Sequence, residues 1–163
     1  NEKENWIAVI GLLNEKPYEI FTGKINRDFN VPDYVSKGWV IKVREAKEKR
    51  YDFRYEDVSG NSITIEGLSR AFNSEYWNYA KLISGMLRLN ISVEQVVKLV
   101  EELNLYDSTI NTWKNGVSRA LRNFIKPGLK REGSICPSCF SDNALVYQEG
   151  CLQCIDCGFT ECS

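Results

Sequence analysis

The chain has 163 residues, of which 43% are hydrophobic and 26% are charged, and its formal net charge is −1. This length is enough for one moderate core and one small appended module. No segment approaches the roughly 18 to 20 continuous apolar residues of a membrane span. The N-terminal sequence NEKENW also lacks the basic and then apolar pattern of a secretory signal. We therefore expect a soluble protein of the reducing cytoplasm, without a membrane partner.

The chain contains six cysteines and no histidine. Without histidine, the chain lacks the usual general base, mixed Cys/His metal sites and Ser-His or Cys-His nucleophile pairs. In a reducing compartment, clustered cysteines indicate metal ligands or redox thiols more readily than structural disulfides. Chemistry in this chain is therefore expected to come from thiols, carboxylates or lysines, and the thiols are the obvious candidates.

Residues 6–68 have the patterns of β-strands. A turn-forming cluster at residues 14–17 separates the apolar run WIAVIGLL from YEIFTG, which predicts a hairpin. The polar segment 24–37 is interpreted as a loop. Three further strands are predicted in GWVIKV, RYDFRYEDV and NSITIEGL. Aromatic residues alternate along the second of these, which indicates an antiparallel sheet with one face in the core.

From residue 73 the hydrophobic period changes from two to about 3.6 residues, which predicts helices. Three are expected, at about residues 73–90, 91–106 and 107–126, and the sequence KPG ends the last. The residues expected to face the core are Tyr76, Tyr79, Ala80, Leu82, Ile83, Met86 and Leu87, then Val93, Val96, Val97, Val100 and Leu103, then Ile110, Trp113, Val117, Leu121 and Phe124.

Polar residues at the helix starts predict caps. Asn73 or Ser74 is expected to cap the first helix, and Ser92 with Gln95 is expected to form a capping box on the second. The elements together predict an α+β fold, in which an antiparallel sheet is followed by three helices packed on it. We assign this body to residues 1–128.

The end of the chain differs in composition. After a linker at residues 129–133, residues 134–163 hold all six cysteines. From Arg131 onward, one basic residue stands against five acidic ones. Because an acidic module repels phosphate, this balance argues against a zinc module that binds nucleic acid. No nucleic-acid partner is therefore expected.

The cysteine spacing predicts a zinc ribbon. Two Cys-x-x-Cys knuckles on facing hairpins can place four thiolates around one zinc ion. The first knuckle is formed by Cys136 and Cys139. We prefer Cys154 and Cys157 for the second, because Gly158 follows at once and tolerates the positive φ that a knuckle needs.

Cys151 and Cys162 stand outside this ligand set. If residues 154–158 form the loop of a second hairpin, both cysteines lie at the same distance from its centre and become cross-strand neighbours. Facing Cβ atoms of an antiparallel pair lie about 4.5 to 5.5 Å apart, close to what a reversible disulfide needs. The pattern predicts a redox couple, and the alternative is that both are small apolar fillers.

The tail resembles the C-terminal zinc ribbon of ribonucleotide reductases, especially of the adenosylcobalamin-dependent kind, in the run CPSCFSDNALVYQEGCLQCIDCGFTEC. The body resembles the TSCPD domain that precedes this tail, in VIGLLNEKPYEIF, AKLISGMLRLNISVEQVVKLV and SRALRNFIKPG. The resemblance covers nearly the whole chain. One departure is Phe140, which replaces the glycine that usually follows the first knuckle.

The resemblance implies a C-terminal part of a ribonucleotide reductase, an enzyme of deoxyribonucleotide biosynthesis and DNA replication. It implies that the tail thiols carry electrons from thioredoxin or glutaredoxin to a disulfide formed in the catalytic barrel at each turnover. The barrel and its adenosylcobalamin would belong to the parent enzyme, because they have no counterpart in this sequence. The start at Asn1, with Met86 as the only methionine, leads us to expect a processed chain or the end of a longer one.

Alternatives stay open from the sequence alone. Tails of related reductases often end with two cysteines separated by four residues, a spacing that Cys157 and Cys162 share. In that case these two form the shuttle pair, and zinc is held by the other four cysteines. Two other functions are a non-catalytic zinc-ribbon module that docks a protein and an independent thiol-disulfide chaperone.

Overall fold

The computed structural model describes residues 6–25, 30–45, 48–68, 72–104 and 108–162. They form an α+β fold, which confirms the expected class. The strands are β1 (Trp6–Leu13), β2 (Lys16–Lys24), β3 (Trp39–Glu45), β4 (Glu48–Glu56), β5 (Ser62–Ile65), β6 (Leu145–Gln148), β7 (Cys151–Cys154) and β8 (Thr160–Glu161). The helices are α1 (Ser74–Arg88), α2 (Val93–Glu101) and α3 (Ser108–Arg122). The predicted junction of the second and third helices, residues 105–107, and the side chain of Ile110 lie outside the described residues.

The strands form three small antiparallel sheets, in the orders β1-β2, β3-β4-β5 and β6-β7-β8. The first is the predicted hairpin, and its turn residues Asn14 and Glu15 have φ values of 51° and 64°. Two successive positive φ values are what a tight hairpin turn needs to match the twist of its strands. The β3 to β5 meander is also confirmed, with Phe53 and Tyr55 buried at alternate positions of β4.

The β1-β2 hairpin is the middle layer of the body. Ala8, Ile10 and Ile20 pack in a core formed mainly by the three helices. Val9 and Phe21 point the other way, into a second core that includes aromatic residues of β4. Because successive side chains of a strand face opposite sides, a strand between two cores must be apolar throughout. This explains the unbroken apolar run in β1.

The helices bury most of the predicted stripes. The confirmed core residues are Tyr76, Ala80, Ile83, Leu87, Val96, Val97, Val100, Trp113, Val117 and Leu121. Leu82, Leu103 and Phe124 are exposed, so these three predictions are wrong. Leu103 and Phe124 lie beyond the last residues of α2 and α3, where the 3.6-residue period no longer applies, and Ile125 is buried in place of Phe124. Among the described helices, none has the length and apolar character needed to cross a membrane.

The two predicted caps differ in outcome. Asn73 caps α1, since its side-chain oxygen accepts a hydrogen bond from the backbone N–H of Glu75 at 2.8 Å. Ser92 is the N-cap residue of α2, but its side chain makes no capping hydrogen bond, so the predicted capping box is wrong. The start of α2 is held instead by burial of its apolar face.

Buried polar groups attach two helices to β2. The backbone N–H of Ile20 donates to Ser84 Oγ on α1 at 3.0 Å. On α3, Trp113 Nε1 donates to Thr22 Oγ1 at 2.9 Å, and both side chains are almost fully buried. Since an unpaired buried donor costs about 1 to 3 kcal/mol, these bonds select one placement of each helix on the hairpin.

The small β6-β7-β8 sheet packs directly on the helical core. Tyr147 of β6 and Leu152 of β7 are cross-strand partners, and both are buried in that core. Residues 129–131, in the segment expected to be a linker, lie alongside β6. Tyr147 N donates to Leu129 O at 2.9 Å, and Arg131 N donates to Leu145 O at 2.9 Å. The cysteine-bearing sheet is therefore held against the body by both backbone and side chains.

Truncation of Trp113 tests this packing. Trp113 packs against Tyr76 and Tyr79 in tilted ring contacts, with ring centroids 5.9 and 5.4 Å away. We expect Trp113→Ala to lower the free energy of unfolding by about 3 to 5 kcal/mol, because it leaves a cavity and an unpaired Thr22 hydroxyl. Denaturant unfolding is the measurement, and Leu82→Ala, at an exposed position of α1, is the control expected to be near neutral. A small effect at Trp113 would contradict the packing described.

Candidate metal centre and redox disulfide

Two Cys-x-x-Cys segments fold into the same tight turn. In the first, the backbone N–H of Phe140 donates to the carbonyl of Cys136 at 2.9 Å. In the second, Gly158 donates to Cys154 in the same way at 3.0 Å. The N–H of each first cysteine also donates to the carbonyl five residues onward, at 3.0 and 2.7 Å. Each turn therefore aims its two thiols toward the same side.

Both turns need a residue with positive φ after the second cysteine. Gly158 has φ of 75°, as expected from the sequence, and Phe140 has φ of 60°. A non-glycine residue in this region costs about 1 to 3 kcal/mol unless its surroundings hold it there. The phenylalanine therefore adopts the backbone conformation of the glycine that it replaces, and its side chain is exposed.

Four thiols meet between the two turns. The Sγ atoms of Cys136, Cys139, Cys154 and Cys157 all lie within 4.8 Å of one another. The Sγ distances from Cys136 to Cys157 and from Cys139 to Cys154 are both 3.7 Å. A zinc–sulfur bond of about 2.3 Å gives a tetrahedron with edges of about 3.8 Å. The cluster therefore has the size and the all-sulfur donor set of a structural zinc site.

Two thiols of the cluster have displaced pKa values. Burial raises the pKa of Cys154 to about 11. A hydrogen bond between Cys139 and the hydroxyl of Ser141, 3.3 Å apart, lowers the pKa of Cys139 to about 6. Without a cation, the buried thiol therefore loses its proton less readily than the exposed one. A bound metal ion would hold all of them as thiolates, which are the form that ligates zinc.

The other two cysteines form a disulfide, Cys151–Cys162, with Cα atoms 4.5 Å apart. In the β7-β8 register, Leu152 faces Glu161 and Gln153 faces Thr160, and the same register places Cys151 opposite Cys162. This is the arrangement that hairpin symmetry predicts from the sequence. Cys157, which the rival assignment pairs with Cys162, lies beside Cys136 instead.

Strand geometry separates the two groups of cysteines. Cys151 and Cys154 are three residues apart on β7, so their side chains point to opposite faces of the sheet. Cys154 is buried on the inner face together with Leu152, whereas Cys151 is half-buried on the outer face. Cys151 is therefore not placed to join the four clustered thiols.

An ion cluster beneath the ribbon escaped the sequence analysis. Glu101 Oε1 accepts from Arg122 Nε at 3.0 Å, and Glu101 Oε2 lies 2.8 Å from Arg131 Nη2. The Arg122 side chain is almost fully buried, and Arg131 belongs to the segment expected to be a linker. No local sequence pattern predicts these contacts, because their residues come from α2, α3 and the segment before β6.

The comparisons with known proteins identify the family. The family model of the NrdJ homologue C-terminal domain matches residues 1–126. No curated protein matches the chain, and no solved structure does either. The matched region ends before the first cysteine, so the match depends on the body and not on the cysteine pattern. NrdJ is the adenosylcobalamin-dependent ribonucleotide reductase. The chain therefore belongs to the family of NrdJ homologue C-terminal domains, a ribonucleotide-reductase-related family.

Proposed function

We propose that this chain is the C-terminal part of a ribonucleotide reductase and relays reducing equivalents from thioredoxin or glutaredoxin to the active-site disulfide. The main observation in its support is the Cys151–Cys162 disulfide. Its Cys151 belongs to β7, the strand that also bears the buried thiol of Cys154. Family membership supports the proposal. The catalytic barrel, with its adenosylcobalamin, would be the partner that reduces ribonucleotides to deoxyribonucleotides, in the cytoplasm.

In this proposal the clustered thiols have a structural role. Cys136 and Cys154 are buried against Ala144 and Leu145, which closes the inner side of the cluster. We assign zinc to Cys136, Cys139, Cys154 and Cys157. When bound, zinc joins the two knuckles and contributes folding free energy. The ribbon is then a rigid support for the strand that carries Cys151.

Cys151 and Cys162 are assigned as the redox shuttle pair. As dithiols they would give two electrons and two protons to the active-site disulfide and become a disulfide themselves. The dithiol of thioredoxin or glutaredoxin would then reduce the Cys151–Cys162 disulfide and become a disulfide in turn. The half-buried and exposed positions of the two cysteines leave the bond open to such exchange.

The metal assignment predicts one zinc ion per chain. Cys136→Ser and Cys154→Ser should each lose it, because a ligand is removed, whereas Cys151→Ser should keep it. Elemental analysis of the reduced, folded protein gives the measurement. A chelator should also destabilise the body, since Tyr147 and Leu152 of the ribbon sheet belong to the helical core.

The same series separates the two ligand assignments. If Cys151→Ser loses zinc while Cys157→Ser keeps it, the rival assignment holds, and the shuttle pair is Cys157 with Cys162. A folded, reduced wild-type chain without zinc would contradict both.

The relay predicts a reductant-specific defect. In the complete reductase that contains this chain, Cys151→Ser or Cys162→Ser should abolish turnover with thioredoxin, because the active-site disulfide can no longer be exchanged. Dithiothreitol should restore turnover, since it is small enough to reach that disulfide directly. Steady-state assays with each reductant make the comparison, and Thr160→Ser, a conservative change between these cysteines, is the matched control. Variants that keep thioredoxin-driven turnover would exclude the relay.

A second candidate, a protein-docking module without redox work, is favoured by one observation. Ile135, Phe140 and Ile155 lie in or beside the two knuckles and are 61%, 77% and 59% exposed. Exposed apolar side chains that form a contiguous patch are typical of a contact with another protein. Under this alternative, Phe140→Asn, which tolerates the positive φ, would abolish association with the reductase, and the cysteine variants above would not change turnover.

A further inference from the structure

We propose that Cys162 is the sulfur that exchanges with partner thiols, and that Cys151 is a resolving thiol which the fold holds in place. This proposal rests on the relay described above and assigns the order of events within it. It is drawn from the unequal anchoring of the two cysteines, which belong to strands with different support.

Cys151 is anchored from both sides. It begins β7, the central strand of its sheet, and pairs with Gln148 of β6. The next residue, Leu152, has no exposed surface and lies in the helical core. The preceding residue, Gly150, lies beside Asn123 at the end of α3, where an added Cβ would be 2.5 Å from Asn123 Oδ1. Movement of Cys151 would therefore disturb its pairing with β6 on one side and the buried Leu152 on the other.

Cys162 has much weaker support. It follows β8, an edge strand whose described pairing consists of Glu161 with Leu152 and Thr160 with Gln153. Thr160, Glu161 and Cys162 are all exposed. Short, exposed edge segments open locally at low free-energy cost. Once the disulfide is reduced, Cys162 can leave the sheet while Cys151 stays in it.

This difference sets the order of bond exchange. A thiolate of thioredoxin or glutaredoxin attacks Cys162 Sγ, the Cys151–Cys162 bond breaks, and the electron pair leaves on Cys151 Sγ, which takes a proton from water. The second thiolate of thioredoxin or glutaredoxin then attacks its own partner sulfur in the mixed disulfide and releases Cys162. Thioredoxin or glutaredoxin has lost two electrons, and Cys151 and Cys162 are a dithiol.

In the transfer of electrons to the active-site disulfide, Cys162 and Cys151 keep the same two roles. The Cys162 thiolate attacks one sulfur of the active-site disulfide and forms a mixed disulfide, while the other active-site sulfur leaves as a thiolate. The Cys151 thiolate then attacks Cys162 Sγ, which restores the Cys151–Cys162 bond and releases the second active-site thiolate. Two electrons have moved to the active site, and the two thiolates there take up protons.

Glutathione provides a direct test of the attacked sulfur. The oxidised, zinc-loaded chain is treated briefly with reduced glutathione, quenched in acid and alkylated, and cleavage after Glu161 then separates Cys162 from Cys151 for mass spectrometry. We expect glutathione on Cys162 and the alkyl group on Cys151. Glutathione found mainly on Cys151, or equally on both, would overturn the proposal.

The single-cysteine variants provide an independent measurement. In Cys151→Ser the remaining Cys162 thiol should react with an aromatic disulfide reagent at least about tenfold faster than Cys151 does in Cys162→Ser, because access limits the rate. Equal rates would contradict the assignment, and unchanged zinc content shows that both variants are folded. The relay itself is tested separately. If thioredoxin reduces the disulfide no faster than glutathione does, the relay proposal is wrong. The cysteine on which glutathione is found decides only the order of attack.

Discussion

The alternation of side chains along β7 is the constraint on which the rest of this site depends. Leu152 and Cys154 point inward, to the helical core and to the thiol cluster, while Cys151 and Gln153 point outward. One short strand thereby attaches the ribbon to the body, contributes a proposed zinc ligand and presents a proposed redox cysteine. Burial of a leucine side chain stabilises the folded state by about 1.5 to 3 kcal/mol, so Leu152 is a substantial anchor for a strand of four residues.

The body supplies the surface on which that strand rests. Its β1-β2 hairpin lies between two cores, and the helices are positioned on it by hydrogen bonds at Ser84 and Trp113. The ribbon sheet then completes the helical core with Tyr147 and Leu152. The ion pairs from Glu101 to Arg122 and Arg131 lie where the chain leaves α3 for the ribbon. Because Arg122 is almost fully buried, the hydration that its charge loses offsets much of the attraction to Glu101.

This attachment bears on how the proposed relay would operate. A pair of cysteines on a freely swinging tail would deliver electrons by moving as a unit. Here Cys151 is tied to the body through β7, whereas Cys162 follows the exposed edge strand β8. The proposed zinc cluster strengthens the same arrangement, because it holds Cys154 at the other end of β7. In this proposal the body, the ribbon and Cys151 form one support, and Cys162 Sγ is the sulfur that contacts partner thiols.

The sequence by itself determined the fold class, the hairpin, the three helices and the symmetry that places Cys151 opposite Cys162. These features follow from local periodicity and from spacing within hairpins, both of which are written in neighbouring residues. It left two cysteine assignments open, and the zinc and turnover measurements on the cysteine variants test them. It missed the Glu101 ion cluster, the pairing of residues 129–131 with β6, and the burial of Tyr147 and Leu152 in the helical core, which only the tertiary structure decided. They depend on contacts between segments far apart in the chain, and on which face of β7 is covered by the helices.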